Sequence, residues 1–249
     1  MSSTVTRTTP PTETIDRPSG DRFVSTAMLA VAGVLLAIQV LAGHVIPPLA
    51  AFGVLFVGVG VAVGRRRTRW LLAVAIALSL IYLVGSLPFF VANLAHPESP
   101  VGFISEAFVA LAALTTLVGA VLGLREPRTA GTRRPIAFAA GGLAVLAVVI
   151  ALVASSGVTS EPRQADDVAI EAVRSTFPAL VSVPSGDATL WIDNQDPFHH
   201  TLVIEGTDHH IDLPASAAVR LPVSLDPGTY RYLCDVPGHE NMAGDLDVR

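Results

Sequence analysis

The sequence predicts a two-part chain: an α-helical transmembrane bundle of five spans, then a small all-β sandwich. Three observations predict it. The first is composition. Of 249 residues, 51% are hydrophobic and only 15% charged, against a charged share of about 25% in ordinary soluble domains. The second is a charge split hidden inside the formal net of −5. Residues 1–158 carry 11 Arg against 6 Asp and Glu, whereas residues 159–249 carry 5 Arg against 15 acidic side chains. The third is a change of pattern near residue 168, from long apolar runs to short β-rich runs broken by Pro, Gly, Asp and Asn. An apolar, weakly cationic part joined to an acidic one fits neither a single globular enzyme nor a nucleic-acid binder.

The elements follow in order. Residues 1–22 are rich in Thr, Pro and Ser with few apolar side chains, the composition of a disordered tail. Five apolar segments come next, at 23–46, 49–64, 70–95, 104–124 and 136–155, set against the roughly 20 residues that a bilayer span needs. The first is too long for the core of a cleaved signal peptide, which runs about 7–15 residues. The second has 16 residues and follows Pro47-Pro48. It is read as a span because it must return the chain across the bilayer, with a re-entrant segment as the alternative. Gly60 and Gly64, and Gly119 and Gly123, have the spacing that lets helices pack closely.

Arginine placement orients the bundle. Arg7, Arg17 and Arg22 precede the first span, Arg65, Arg66, Arg67 and Arg69 follow the second, and Arg125, Arg128, Arg133 and Arg134 follow the fourth. The other two loops hold no Arg. The N-terminus is therefore expected in the cytoplasm and everything after residue 156 outside it. His44, His96 and Glu106 fall near the outer ends of spans. They read either as interfacial residues of a plain bundle or as a metal or quinone contact.

Residues 156–167 are polar with Gly and Pro, a short tether. Residues 168–249 then offer candidate strands at 169–175, 180–183, 189–194, 201–205, 210–213, 218–223, 229–234 and 244–248. Pro184-Ser-Gly186 and Asp226-Pro-Gly228 are turn signals, since Pro presets φ and Gly admits positive φ.

The chemistry concentrates at two places in this last part. One is Cys234-x4-His239-x2-Met242, and the other is Asn194-Gln-Asp-Pro-Phe198-His199-His200-Thr201. One thiolate, two imidazoles and a thioether make the His₂Cys set with a weak axial Met that blue copper sites use. A lone Cys or Met in a β core is ordinarily just packing. Here the only cysteine of the chain stands within reach of two other ligand types. Zinc prefers closed sites, often with more than one thiolate, and a binuclear copper centre bridged by two cysteines is excluded within this chain.

These residues resemble the cupredoxin (plastocyanin- and azurin-like) family over about residues 165–249. The matching pieces are Val183-Pro-Ser-Gly186, Trp191 to Thr201, Pro227-Gly-Thr-Tyr230 and Tyr232 to Gly244. The resemblance implies a Greek-key sandwich, one mononuclear type 1 copper, and the ligands His200, Cys234, His239 and Met242. Strand parity favours His200 over His199. His200 falls on the same side as Leu202 and Ile204, and His199 falls on the outward side.

The backbone N–H of Thr201 is a candidate donor to the Cys234 sulfur, with Asn194 beside it in the motif. The resemblance makes His239 the electron port, rimmed by Pro197, Phe198, Pro237 and Gly238. His209-His210 reads as a solvated loop or as an auxiliary copper-loading site.

A filled ligand set leaves no open position for a substrate. The expectation is therefore an electron carrier, not a catalyst, serving a redox partner protein near the outer membrane surface. Copper acquisition, storage or delivery, and a subunit role in a membrane oxidoreductase, stand as alternatives.

Overall fold

The computed structural model describes residues 21–43, 45–125 and 130–249. Most of the expected tail, together with His44 and Arg128, lies outside the described residues.

The helical part begins with α1 (Arg22–Ala42) and α2 (Pro47–Arg65). Asp21 caps α1 by accepting from the Val24 N–H at 3.2 Å, and Gly43 ends it in the left-handed region at φ 72°. Pro47 and Pro48 start α2, where a missing N–H costs nothing. α1 packs closely against the glycines of α2. A Cβ on Gly60 would stand 3.1 Å from the Met28 Cβ, and one on Gly64 only 2.7 Å from the Ser25 Oγ.

The third expected span is broken. It comprises α3 (Arg69–Gly85) and α4 (Leu87–Leu94), bent by 56° around Ser86. The cause is Pro88, which cannot donate to the helix and whose ring crowds the carbonyl one turn back. α5 (Pro100–Arg125) and α6 (Ala130–Ser155) complete the part. Among the described residues, four helices are long and apolar enough to cross a membrane, five if the bent pair is one span.

At the arginine-bearing end, Asp21 is buried and takes two hydrogen bonds from Arg133, at 2.8 and 2.7 Å. Arg67 approaches the same carboxylate at 3.9 Å and donates to the Gly123 carbonyl at 2.7 Å. One carboxylate thus ties the start of α1 to the α2–α3 loop and to the first turns of α6.

At the other end sits the sandwich. Its strands are β1 (Val168–Ala172), β2 (Leu180–Val183), β3 (Gly186–Asn194), β4 (His200–Ile204), β5 (His210–Leu213), β6 (Ala218–Leu225), β7 (Gly228–Leu233) and β8 (Ala243–Val248). One sheet has the order β1-β3-β6 and the other β2-β8-β7-β4-β5. The chain crosses between sheets after β1, β2, β3, β5 and β6, so neither sheet can form without the other.

β1 is shorter than the sequence suggests. Residues 173–176 close into a turn with Arg174 and Ser175 at φ 53° and 55°, held by the Asp196 carboxylate, which accepts both N–H groups at 2.7 Å. Between the sheets lie Ile170, Leu190, Ile192, Leu202, Ile204, Leu213, Tyr232 and Leu246, all fully buried.

Residues 156–167 do not hang free as a tether. The Ala218 N–H donates to Ser160 Oγ at 2.8 Å, Glu161 N–H donates to the Ala218 carbonyl at 2.8 Å, and Asp167 forms a two-pronged pair with Arg220. The segment is strapped along β6. Composition marks it as polar, but only the neighbouring strand supplies these partners.

Candidate metal centre

Cys234 directly follows β7. Its N–H donates to the Met242 carbonyl at 2.9 Å, which closes residues 234–242 into a loop. Inside that loop the His239 N–H donates to the Val236 carbonyl and the Met242 N–H to the His239 carbonyl, at 3.0 and 2.8 Å. Gly238 turns the chain at φ 88°, a conformation that other residues resist. The backbone therefore aims His239 back toward Cys234.

Three donor atoms converge there. Cys234 Sγ lies 3.9 Å from His200 Nδ1 and 3.7 Å from His239 Nδ1, and the two nitrogens are 3.0 Å apart. The circle through them has a radius of about 2.1 Å, the length of a metal–nitrogen bond. One ion reaches all three without moving the backbone. His200 and Met242 are fully buried and Cys234 nearly so.

Residues 143–248 match the family described as a cupredoxin-like domain. The C-terminal part of this protein is a cupredoxin-like domain. Among solved structures, auracyanin B is 23% identical, covering 37% of this chain and 93% of its own, at a TM-score of 0.30. Amicyanin from Paracoccus versutus is 18% identical over 35% of this chain and 85% of its own, also at 0.30. A copper-containing nitrite reductase from Thermus scotoductus is 20% identical over 37% of this chain and 24% of its own, at 0.27. No curated protein matches the sequence.

Within the cupredoxin-like domain the environment favours the thiolate. Burial pushes the Cys234 thiol up, but contact with His200 and His239 and the Thr201 N–H outweigh it and bring it down to about 5. The Thr201 N–H lies 3.5 Å from Sγ. The Thr201 hydroxyl is 3.6 Å from Sγ but 2.6 Å from Asp235 Oδ1. It has one proton, and the shorter contact to a carboxylate takes it, so the backbone N–H is left as the donor to sulfur.

Behind His200 stands a residue that sequence reading missed. Asp196 Oδ2 accepts from His200 Nε2 at 3.0 Å, which fixes the ring so that Nδ1 faces the cluster. Burial opposes both charges. Even so, pairing with Asp196 and Cys234 holds His200 above the usual imidazole range, and pairing with His200 holds Asp196 below the usual carboxylate range. The Asp-Pro-Phe-His-His string holds the four-residue spacing, but only the loop bend makes the two side chains meet.

Asn194 fixes that bend. Fully buried, its Nδ2 lies 2.9, 3.0 and 2.9 Å from the carbonyls of Phe198, Leu213 and Pro214. Its Oδ1 accepts from the Asp196 N–H at 3.0 Å.

Other expected positions fall differently. His199 does leave the core on the outward side, yet it is buried, because the loop between α4 and α5 covers that side. Its ring stacks on His96 at 3.6 Å between centroids. Burial, then the neighbouring His96, lowers its pKa to about 4.

Part of the expected docking rim is covered too. Pro197 lines a crevice with Glu98, Pro100 and Val101, and a Cβ on Gly238 would meet the Phe89 ring at 2.8 Å. Pro237 and Phe198 are half-buried. Strand periodicity gives the side of a sheet and not what packs on it, so these covers have no sequence signal.

His210 is exposed with Nε2 3.9 Å from Asp235 Oδ1, and among the described residues neither it nor His209 joins a group of three donors. His96 bonds Glu98, while Glu106 on α5 keeps a buried oxygen without a hydrogen-bond partner. Among the described residues, His96 and Glu106 share no group of three converging donors.

Proposed function

We propose that this chain is a membrane-anchored, extracytoplasmic type 1 copper protein that passes single electrons. The observation that carries the reading is the ring of one thiolate sulfur and two imidazole nitrogens sized for one metal ion. His200, Cys234, His239 and Met242 would hold a single copper. When bound, copper supplies a Cu(II)/Cu(I) couple.

The chain's own residues do the rest. Cys234 arrives as a thiolate, and Thr201 N–H donates to its sulfur. Asp196 holds the His200 ring in one orientation, and Asn194 holds the loop that carries both. A strapped β framework keeps these positions alike in either redox state. The buried set offers no open place for a substrate, which favours a carrier over a catalyst. Arginine-rich loops at the far end of the bundle favour a cupredoxin-like domain outside the cytoplasm.

The contact of the Gly238 turn with Phe89 favours one second reading. With that side of the rim covered by the bundle, the redox partner would be a membrane protein beside the helices, as for a subunit of an oxidoreductase.

The test uses the full chain in detergent, loaded with Cu(II). An intense thiolate-to-copper band in the visible and a narrow copper hyperfine splitting are expected, and Cys234→Ser removes both. Survival of that spectrum in Cys234→Ser overturns the site. A wild type with no such band overturns the electron-transfer reading. Co-purification of a redox-active membrane partner separates the second reading from the first.

A further inference from the structure

Outside the Cys234 cluster, the described residues contain one more group of three converging donors. His96, His199 and Asp212 each offer a ligand atom, and these atoms all lie within 4.8 Å of one another. We propose that His96, His199 and Asp212 form a second metal site, for Cu(II) or Zn(II), that fastens the cupredoxin-like domain to the helical bundle.

The three residues come from three segments. His96 lies between α4 and α5, His199 just before β4, and Asp212 on β5. β5 pairs with β4, with Asp212 opposite Thr201, so His199 and Asp212 share the outward face of that sheet. His199 Nε2 is already 3.2 Å from Asp212 Oδ1. His96 is delivered from the bundle by neighbouring contacts. Ser99 Oγ accepts from the Ala215 N–H at 3.0 Å, and Phe89 packs on Gly238.

The donor chemistry selects the ion. Two imidazoles and a carboxylate without sulfur suit borderline divalent ions, with Cu(II) bound tightest and Zn(II) next in availability. Glu98 completes the arrangement. Its Oε1 is 2.8 Å from His96 Nδ1, the carboxylate–histidine contact that orients metal-bound imidazoles and leaves Nε2 free. Asp212 and Glu98 together bring the two negative charges that a divalent ion needs. The rings stack within 12° of parallel. Aiming both lone pairs at one ion requires one ring to tilt, a motion about χ2 with a broad, soft profile.

This second site lies outside the electron-transfer reading and does not depend on Cys234. Two consecutive residues, His199 and His200, serve the two clusters. Each site has its own signal, so either can be refuted alone.

The full chain in detergent is titrated with Cu(II) alone, and bound metal is counted after passage over a weak chelating resin. Two equivalents are expected, one with the thiolate band and one with an ordinary tetragonal Cu(II) resonance that Zn(II) competes away. His96→Ala should lose the second equivalent and keep the thiolate band. Glu98→Gln and Asp212→Asn should weaken the second ion about 10–100-fold. Asp212 is exposed, so its variant leaves the fold intact. A wild type that holds only the thiolate-bound ion overturns the proposal. So does a second ion held equally well in all three variants. A second ion without any thiolate band would sink the electron-transfer reading and leave this one standing.

Discussion

Replacing Asn194 should damage the cupredoxin-like domain more than any change of comparable size on its surface. The side chain is fully buried and its amide serves three carbonyls at 2.9–3.0 Å, while its oxygen takes the Asp196 N–H. An amide nitrogen has two protons, so one of the three contacts is shared. Asn194→Ala strands those carbonyls away from water. Each orphaned group costs about 1–3 kcal/mol, and partial relaxation and water entry bring the expected total to about 2–4 kcal/mol.

For a domain of this size, urea lowers stability by about 1 kcal/mol per molar, so the midpoint should fall by about 2–4 M. Pulse proteolysis of the full chain in detergent across a urea series measures it, using the metal-free protein so that ligand binding does not mask the change. The isosteric Asn194→Asp is the sharper arm. It sets a carboxyl oxygen against the three carbonyls and should be at least as destabilising as Ala at pH 7. If Asn194→Asp is clearly the more stable of the two, or if Ala shifts the midpoint by under about 0.5 M, the side chain is not working through these hydrogen bonds.

Four more outcomes follow from the same geometry. Thr201→Val loses the hydroxyl bonds to Asp235 and should cost about 1–2 kcal/mol in the same urea series. The copper band should stay where it is, because the N–H toward sulfur is retained; a large shift of that band would reassign the donor. Asp196→Asn should narrow the pH range of metal-free stability. Asp196 is held low, so its contribution is present above the ordinary carboxylate range and lost as pH falls through it. His200 is held high, so its contribution is present below about 6.5 and lost as pH rises past that value. The difference between wild type and variant should therefore peak between about pH 4 and 6.5; a difference that does not change with pH refutes the pairing. Tyr232→Phe removes the 2.6 Å bond to the Pro178 carbonyl and should cost about 1 kcal/mol, read by thermal unfolding. Asp21→Asn weakens the clasp with Arg133 and should shorten the half-life of the detergent-solubilised chain on heating, and adding Arg133→Gln should cost little more.

The grouping of His200, Cys234 and His239 was legible because its parts are rare and closely spaced. A lone Cys followed by His and Met, five and eight residues on, seldom arises from core packing alone, and parity in residues 200–204 separated His200 from His199. The apolar helices were legible for a related reason, since the bilayer fixes a length, and among the described residues four helices meet it, or five with the bent pair taken as one span. The break at Ser86 was not read from the sequence, where 70–95 is one span; Pro88 carries the signal, but only the structure shows the 56° bend.

By itself, then, the sequence determined the two-part architecture, the strands and the ligand candidates. Those depend on local periodicity and on residue types that have only one chemistry. The tertiary structure alone decided which neighbours serve them. It set Asp196 behind His200, Asn194 across three carbonyls, residues 156–167 along β6, and His96 of the bundle on His199 of the sandwich. Each of these joins groups whose meeting depends on how loops bend and how two parts dock. Such contacts carry no period along the chain, and the chain must close in space before they exist.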